Sequence, residues 1–339
     1  MNWMKRIAVA AVTAVAFVSP TLAEELNLFA WSEYIPQPVL EGFEKETGIK
    51  VNYEAYASNE EMLAKLQSGK YDVIQPSDYM VQALISANRL EKLDHAKLPN
   101  LKNIDPVYLT LPHDKGSLYS VPWMSGTVGI IYNTKKIKEP IKGLKDVFSG
   151  KYNGRIVALD DGREIMSWVL STQGRDINDF SDANLAAIKP VMAEWMKQIK
   201  LYDSDSPKTP LMSGDVDIGI VWSGEAATML KEKPGDFAWV LPSEGAHRFF
   251  DTLAIPKGSH HIEAAHKFMN YVLRPEVSKL ISDDFPYTNP NVEARKLLDA
   301  EALKNPASYP PADTKLDVFH DIGERSKVLD ELFTSLKAK

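Results

Sequence analysis

The sequence contains no cysteine. This absence excludes a disulfide framework, a thiolate metal site and a cysteine nucleophile. It also leaves no cysteine to carry a lipid anchor after the N-terminal segment. Long apolar runs are missing as well: the run from Ile7 to Val18 is only about a dozen residues, whereas a transmembrane helix needs about 20. No later segment is long and apolar enough to span a bilayer.

The N-terminal segment has the order of a secretory signal peptide. A basic start at Lys5 precedes the apolar run, Pro20 ends it, and Thr21-Leu22-Ala23 places small residues before the expected cleavage point. We expect residues 1–23 to be removed by cleavage before Glu24. The alternative, an uncleaved anchor helix, is disfavoured by the short apolar run. An exported chain without a lipid anchor needs an outer barrier, so we expect the periplasm of a Gram-negative bacterium.

The composition is that of a globular protein with an excess of acid. Hydrophobic residues make up 44% and charged residues 25% of the 339 residues, and the formal net charge is −7. This charge argues against nucleic acid or anionic lipid as a partner and is compatible with a cationic ligand. The length after the signal peptide suits two domains of about 150 residues each.

The first hundred residues alternate short apolar runs with amphipathic stretches. The pattern predicts β-α-β-α-β-α, which implies a parallel sheet with crossover helices. Ser58-Asn59 and Ser77 are placed to cap the second and third helices. The predicted strands are Leu26 to Ala30, Lys50 to Tyr56 and Tyr71 to Gln75, and the first two helices are Val39 to Thr47 and Glu60 to Ser68.

The remainder of the chain continues the α/β pattern without an internal repeat or a long linker. The absence of a linker between two sheets favours two lobes joined by crossing strands, with a cleft between them. The tail from Val292 is predicted to be mostly helical. The other predicted strands are Gly126 to Asn133, Ile156 to Leu159, Val216 to Trp222, Ala238 to Leu241 and Phe249 to Ile255, and the helices are a segment from Asp161, Ser181 to Ile199 and Ile262 to Leu273.

Five segments place unusual residues at the ends of strands or inside the last one. Ligands of open parallel sheets bind outside the carboxyl ends of the strands, so these segments are candidates for a shared site. Four of them combine an aromatic residue with an acid, and one supplies acids alone. They are Trp31-Ser32-Glu33-Tyr34, Pro76-Ser77-Asp78-Tyr79, Asp160-Asp161-Gly162-Arg163-Glu164, Trp222-Ser223-Gly224-Glu225 and Phe249-Phe250-Asp251.

Aromatic residues and acids together suit a ligand that is both cationic and partly alkyl. Aromatic faces attract ammonium groups by about 0.5–2 kcal/mol, and carboxylates accept charge-assisted hydrogen bonds from their N–H donors. Aromatic walls also shield methylene groups from water. A linear polyamine has this combination. Each segment alone has a structural explanation, since Trp31 or Trp222 can serve packing, Ser77 can cap a helix, and Asp161 with Glu164 can stabilise a helix N-terminus.

Enzyme and metal sites find less support in the sequence. There is no Gly-x-Ser-x-Gly elbow, no dinucleotide fingerprint and no phosphate-binding loop. Asp161 and Glu164 lie one helical turn apart on one segment, whereas glycosidase carboxylates flank a bond from opposite sides. His260, His261 and His266 lack the spacing of a helical metal site, and we interpret them as exposed residues at a helix start. We therefore expect no enzyme activity, no cofactor and no metal.

The same segments resemble the periplasmic polyamine-binding proteins of ABC transporters, particularly the spermidine/putrescine-binding type. The similarity extends over nearly the whole chain after residue 23. Besides the five segments, it includes Glu46-Thr47-Gly48-Ile49-Lys50-Val51, Ser58-Asn59-Glu60, Leu253-Ala254-Ile255-Pro256, Leu273-Arg274-Pro275-Glu276-Val277 and Pro290-Asn291. The Glu-Thr-Gly-Ile-Lys-Val run occurs in many extracellular binding proteins, so the aromatic and acidic group is the more specific signal.

The resemblance implies an α/β type II periplasmic-binding-protein fold with a ligand cleft between two lobes. One lobe would comprise 24–124 plus 252–295, and the other 125–251 plus 296–339. The resemblance also implies roles for individual residues. Aromatic walls would be formed by Trp31, Tyr34, Tyr79, Trp222 and Phe249. Ammonium groups of the ligand would pair with Asp161, Glu164 and Asp251, and the far end of the ligand would contact Ser32, Glu33, Ser77 and Ser204.

The resemblance also implies delivery of spermidine or putrescine to an inner-membrane ABC permease by a monomeric protein. Two departures concern the ligand: Phe249 replaces a tryptophan of the spermidine type, and Phe319, beside His320, replaces a glutamine. Glu225 and the Phe249 segment look more like putrescine-preferring relatives, so the preferred polyamine stays open.

Signalling of polyamine occupancy to a membrane receptor is an alternative function. An iron binder would need an adjacent Tyr-Tyr pair, which is absent, and clustered acids disfavour an anion.

Overall fold

The computed structural model describes residues 24–32, 34–67 and 69–338. The predicted signal peptide and Glu33 lie outside these residues. Within the described part of the chain, no helix combines the length and the apolar character needed to cross a membrane.

The described residues form an α/β structure. Its strands are β1 (Glu25–Trp31), β2 (Lys50–Tyr56), β3 (Val73–Ile74), β4 (Ser120–Asn133), β5 (Ile156–Ala158), β6 (Ile199–Tyr202), β7 (Ile218–Trp222), β8 (Phe237–Val240), β9 (Ala246–Ala254) and β10 (Leu316–Asp317). Its α-helices are α1 (Gln37–Thr47), α2 (Asn59–Lys65), α3 (Asp78–Ser86), α4 (Leu144–Val147), α5 (Gly162–Thr172), α6 (Asp182–Met196), α7 (Lys208–Ser213), α8 (Ser223–Glu232), α9 (Ile262–Val272), α10 (Pro275–Asp284), α11 (Val292–Arg295), α12 (Ala300–Leu303) and α13 (Arg325–Lys337). Three short 3-10 helices cover His95–Lys97, Pro99–Asn103 and Pro106–Thr110.

The first half of the sheet confirms the predicted β-α-β-α-β-α order. β1 lies between β2 and β3 and is parallel to both, with Glu25 opposite Lys50 and Leu28 opposite Val73. Successive residues of β1 pack on opposite faces of the sheet: Leu28 belongs to one buried cluster and Phe29 to another. Helices therefore cover both faces, as parallel sheets require.

Two long antiparallel strands connect this half to the second. The amino-terminal part of β4 pairs with β9, from Ser120 opposite Ala254 to Thr127 opposite Arg248. The carboxyl-terminal part of β4 pairs with β7 and β8, where β5 and β6 extend the sheet. The strand order is β2-β1-β3-β9-β4-β7-β5-β6, with β10 beside β9 and β8 beside β4.

The second half has its own apolar packing. Ile130 and Ile156 pack in one buried cluster with helices α5 and α6, and the neighbouring residues Ile131 and Val157 pack in another on the opposite face. Residues of α13, such as Leu329, join the first of these clusters. The C-terminal helix thus packs on the second half of the molecule.

Three predictions of local structure are wrong. The third strand is two residues long instead of five, and the tail is largely irregular between α12 and α13. Pro306, Pro310 and Pro311 account for this irregularity, because proline cannot continue a helical hydrogen-bond ladder. His266 is buried in α9 at 2% exposure, where its Nε2 accepts from the Asp94 backbone N–H at 3.0 Å.

Candidate functional site

A cavity of about 230 Å³ lies where the two halves of the molecule face each other. It collects all of the predicted site residues that the structure describes. These are Trp31, Ser32, Tyr34, Ser77, Tyr79, Asp161, Glu164, Ser204, Trp222, Glu225, Phe249 and Asp251. Glu33 belongs to the same segment but lies outside the described residues. The structure thus brings the segments together, while their contact with a ligand stays a prediction.

The topology explains this convergence. Trp31, Ser77 and Trp222 lie at or just after the carboxyl ends of β1, β3 and β7, and Asp161 follows β5. Carboxyl ends of parallel strands meet at one edge of a sheet. β9 contributes differently, because its side chains alternate: residues 247, 249 and 251 line the cavity, and residues 248 and 250 do not.

Aromatic rings form much of the cavity wall. Phe249 contacts Trp222 edge to face, with ring centroids 5.6 Å apart, and lies 6.0 Å from Tyr287. On the other side Tyr34 lies between Tyr287 at 5.1 Å and Trp31 at 6.5 Å. These contacts fix the rings of both halves in one continuous apolar surface.

The cavity is strongly acidic. Arg163 is the one Lys or Arg among the described lining residues, and its guanidinium lies 4.6 Å from the Tyr79 ring centroid and 4.1 Å from that of Phe319. Lys208 pairs with Glu225 at 2.8 Å. Eight carboxyl side chains line the cavity: Glu60, Asp160, Asp161, Glu164, Asp205, Glu225, Asp251 and Asp330. Acids in excess create a negative field that attracts cations.

Asp251 is the most deeply enclosed of the predicted acids, with Glu164. It is 2% exposed and accepts from the Ser77 hydroxyl at 2.7 Å and the Tyr34 hydroxyl at 3.0 Å. Burial raises the pKa of Asp251 to about 6 although these two hydrogen bonds oppose the shift. Ser77 therefore does not cap α3 with its side chain, contrary to the prediction, because its hydroxyl donates to Asp251 and accepts from the Asn59 side-chain amide at 3.0 Å.

Asp161 serves both as a helix cap and as a cavity residue. Its carboxylate accepts from the Glu164 backbone N–H at 3.0 Å at the start of α5. Burial, followed by the negative charge of Glu164, raises the pKa of Asp161 to about 7. The structural and functional interpretations of this residue are thus compatible.

Several other cavity residues were not singled out from the sequence. Asp205 is contacted by the Ser32 hydroxyl, and the adjacent Ser204 accepts from the Trp222 indole N–H at 2.9 Å through its carbonyl. The period-two alternation of β9 would have identified His247, which lies two residues before Phe249. Tyr287, Asp330 and Phe333 are brought in by loops and α13, and no local pattern marks them.

The chain matches the model of a protein family described as bacterial extracellular solute-binding protein, over residues 39–310. The chain belongs to this family. It is 37% identical over 323 residues to "Spermidine/putrescine-binding periplasmic protein 1" of Haemophilus influenzae, covering 93% of this chain and 89% of the relative. It is 34% identical over 347 residues to "Spermidine/putrescine-binding periplasmic protein" of Escherichia coli strain K12, covering 99% of each.

Solved structures of the same family confirm the fold. The spermidine/putrescine ABC transporter substrate-binding protein PotD of Streptococcus pneumoniae superposes with a TM-score of 0.78 at 31% identity. The superposition covers 93% of this chain and 99% of that one. The predicted type II periplasmic-binding-protein fold, with two lobes and a cleft, is therefore confirmed for this solute-binding protein.

Proposed function

We propose that this solute-binding protein captures a polyamine, spermidine or putrescine, in its cavity and delivers it to an ABC permease from the periplasm. The observation that carries the proposal is the lining of one cavity by eight carboxyl groups and a continuous aromatic wall. Spermidine and putrescine are also the ligands in the names of the relatives. The proposed function requires only binding and release of the polyamine, without a chemical step.

In this proposal each kind of lining side chain has its own part. The rings of Trp31, Tyr34, Tyr79, Trp222 and Phe249 cover the methylene groups and face the ammonium groups. Asp161, Glu164 and Asp251 pair with ammonium groups of the ligand. Ser32, Glu33, Ser77, Ser204 and Glu225 complete the polar contacts.

In this proposal, ligand binding brings the two lobes together over the cavity. One lobe comprises 24–124 plus 252–295, and the other comprises 125–251 plus 296–339. β4 and β9 both cross from one half to the other; two of the proposed boundaries, 124/125 and 251/252, lie within these strands, and the third, 295/296, lies at the end of α11. A ligand held by both halves favours the closed state through differential affinity. The permease then distinguishes the closed from the open shape.

Thermal unfolding with matched ligands tests this proposal. Putrescine and spermidine should raise the unfolding temperature, because a ligand at 100 times its Kd adds about 2.7 kcal/mol of stability. 1,4-Butanediol is the matched control, since it keeps the four-carbon chain of putrescine and lacks the charges. A polyamine shift no larger than the diol shift would contradict the proposal.

A further inference from the structure

Beneath the aromatic wall, His247 of β9 and Glu164 of α5 form a buried pair. The Nδ1 atom of His247 lies 2.6 Å from Oε1 of Glu164, and their side chains are 4% and 2% exposed. The other oxygen of Glu164 accepts from the Trp168 indole N–H at 3.2 Å, one turn along the same helix. Both oxygens are therefore held in place, and Glu164 still lines the cavity.

The hydrogen bond defines where the imidazole proton lies. When Glu164 is ionised its carboxylate only accepts, and Nδ1 then carries the proton of this bond. The remaining nitrogen, Nε2, is buried and has no hydrogen-bond partner among the described residues. The ring stacks on Phe319, with centroids 3.7 Å apart and 20° between the planes. A second proton on Nε2 would thus have no acceptor in the described structure.

Charged and titratable groups lie on the elements packed around this imidazole. α5 contributes Arg163 and Asp161 beside Glu164, and α3 contributes Asp78, which is 3% exposed. β9 itself contributes Asp251, and β10 places Asp317 opposite His247 in register. Burial raises the pKa of Asp78 to about 7, while the positive charge of a protonated His247 opposes that shift. Most of the groups on these elements are thus acidic.

Histidine changes its charge between about pH 5 and 8, so this pair can hold either one negative charge or none. With a neutral imidazole, Glu164 offers a full negative charge to the cavity. With an imidazolium, the same carboxylate is neutralised from within the protein. An incoming ammonium group and the proton on Nε2 then compete for the same electrostatic site.

We propose that His247 is a positioning residue for Glu164 that orients the carboxylate toward the ligand and releases its Nε2 proton to solvent when a polyamine binds. This inference rests on the proposed function and adds a proton linkage to it. Polyamine affinity should fall as the pH decreases, since protonation and binding of the ligand oppose each other. The coupling should be on the order of tenfold in Kd, as is typical of linked sites.

The experiment compares wild type, His247→Asn and His247→Phe by isothermal titration with putrescine and spermidine at pH 6 and pH 8. Titrations in two buffers with different ionisation enthalpies give the number of protons released. Asparagine keeps an N–H donor near the position of Nδ1 and cannot be protonated, whereas phenylalanine lacks the donor. His261→Asn is the matched control, because His261 pairs with Asp72 at 3.0 Å outside the cavity.

Wild type should release more protons at pH 6 than His247→Asn. His247→Asn should bind more tightly than His247→Phe at pH 8, and His261→Asn should match wild type. Asp78, Asp161 and Asp251 also exchange protons near this pH in both proteins, and the charge of His247 acts on Asp78 and Asp251, so the ¹⁵N shifts of His247 with and without putrescine identify the source of the difference. Equal proton release in wild type and His247→Asn would overturn the inference.

A second measurement separates this inference from the proposed function. The ¹⁵N shifts of His247 in the ligand-free protein at pH 8 should show a protonated Nδ1 and a bare Nε2. The opposite tautomer would overturn the pairing with Glu164. A wild-type protein that has the expected tautomer and binds no polyamine at either pH would overturn the proposed function, and the proton linkage with it.

Discussion

At the scale of the residue, burying the carboxylates of the cavity acids lowers the stability of the folded protein. Asp251 is buried, and among the residues that the structure describes only the hydroxyls of Ser77 and Tyr34 donate hydrogen bonds to its carboxylate. Both hydroxyls come from the first half of the sheet, whereas Asp251 lies on a connecting strand. The carboxylate is thus oriented before a ligand arrives, which reduces the entropy that binding must offset.

Replacing Asp251 with asparagine should weaken putrescine and spermidine binding by about 10- to 100-fold. A hydrogen bond to a charged group contributes about 1.5–3 kcal/mol, and asparagine removes the charge at nearly constant volume. Titration calorimetry measures the change. Asp236→Asn is the control, because Asp236 pairs with Lys135 away from the cavity and should leave Kd unchanged. Equal affinities of the Asp251 variant and wild type would contradict the assignment.

The raised pKa values of Asp161 and Asp251 predict the pH dependence of stability without ligand. In the unfolded chain an aspartate loses its proton near pH 3.9, whereas in the folded protein these two lose it near pH 7 and pH 6. The folded state therefore binds more protons between these values, and the free energy of unfolding should fall as pH rises from about 4 to 7.

Asp161→Asn isolates this effect, since asparagine caps a helix about as well as aspartate. The variant should unfold at a higher temperature than wild type at pH 8 and show little difference at pH 3.5. Scanning calorimetry of the ligand-free proteins measures both. A lower unfolding temperature at pH 8 would show that the charge of Asp161 stabilises the fold.

At the scale of the element, β4 shapes the cavity through Gly126, whose missing side chain leaves room for two aromatic rings. A Cβ atom on Gly126 would lie 2.3 Å from the Phe249 ring and 2.9 Å from the Tyr287 ring. On the same strand, a Cβ on Gly129 would meet Trp239 at 2.6 Å, and Trp239 does not line the cavity. The two glycines thus offer a matched pair of substitutions.

Gly126→Ala should weaken polyamine binding, because the added methyl group must displace the rings of Phe249 and Tyr287. Gly129→Ala should destabilise the protein to a similar degree, on the order of 1–3 kcal/mol for overpacking, and leave the affinity close to that of wild type. Denaturant unfolding and titration calorimetry separate the two effects. The result against this account is a Gly129 variant that binds as poorly as the Gly126 variant.

The strand ends are also where the sequence was most informative. Trp31 and Trp222 follow apolar strands directly, so the pattern was sufficient to place them at one sheet edge. The hydrogen-bond partner of the Ser77 hydroxyl could not be predicted from sequence alone. This partner, Asp251, is distant in the chain and reaches Ser77 only through tertiary packing. Tyr287 and Phe333 depend on how loops and α13 pack on the lobes, which no local periodicity encodes.

At the scale of the whole molecule, two strands carry all of the described sheet pairing between the halves. Across the cavity the halves also touch directly: Ser32 contacts Asp205, and the Asp321 backbone N–H donates to the Gln82 side chain at 2.9 Å. The structure thus shows a closed arrangement. The ring of Tyr79 also meets the buried ring of Phe319 and the Arg163 guanidinium across the cavity, so opening separates buried aromatic contacts as well as exposed hydrogen bonds.

Small-angle scattering should show a smaller radius of gyration with putrescine than without it, since the ligand favours the closed state. An identical radius in both conditions would argue that the protein binds without closing.

Gln82→Ala removes one contact between the halves and should weaken putrescine binding by about 2- to 10-fold, the value of one neutral hydrogen bond. Gln37→Ala, at the exposed start of α1, is the control.

A crystal structure of the protein with spermidine would locate the ligand. We expect spermidine inside the described cavity, with an ammonium nitrogen within hydrogen-bonding distance of Asp251 and methylene groups against the rings of Trp222 and Phe249. Density for spermidine only at the outer surface, with the cavity free of ligand, would contradict this expectation.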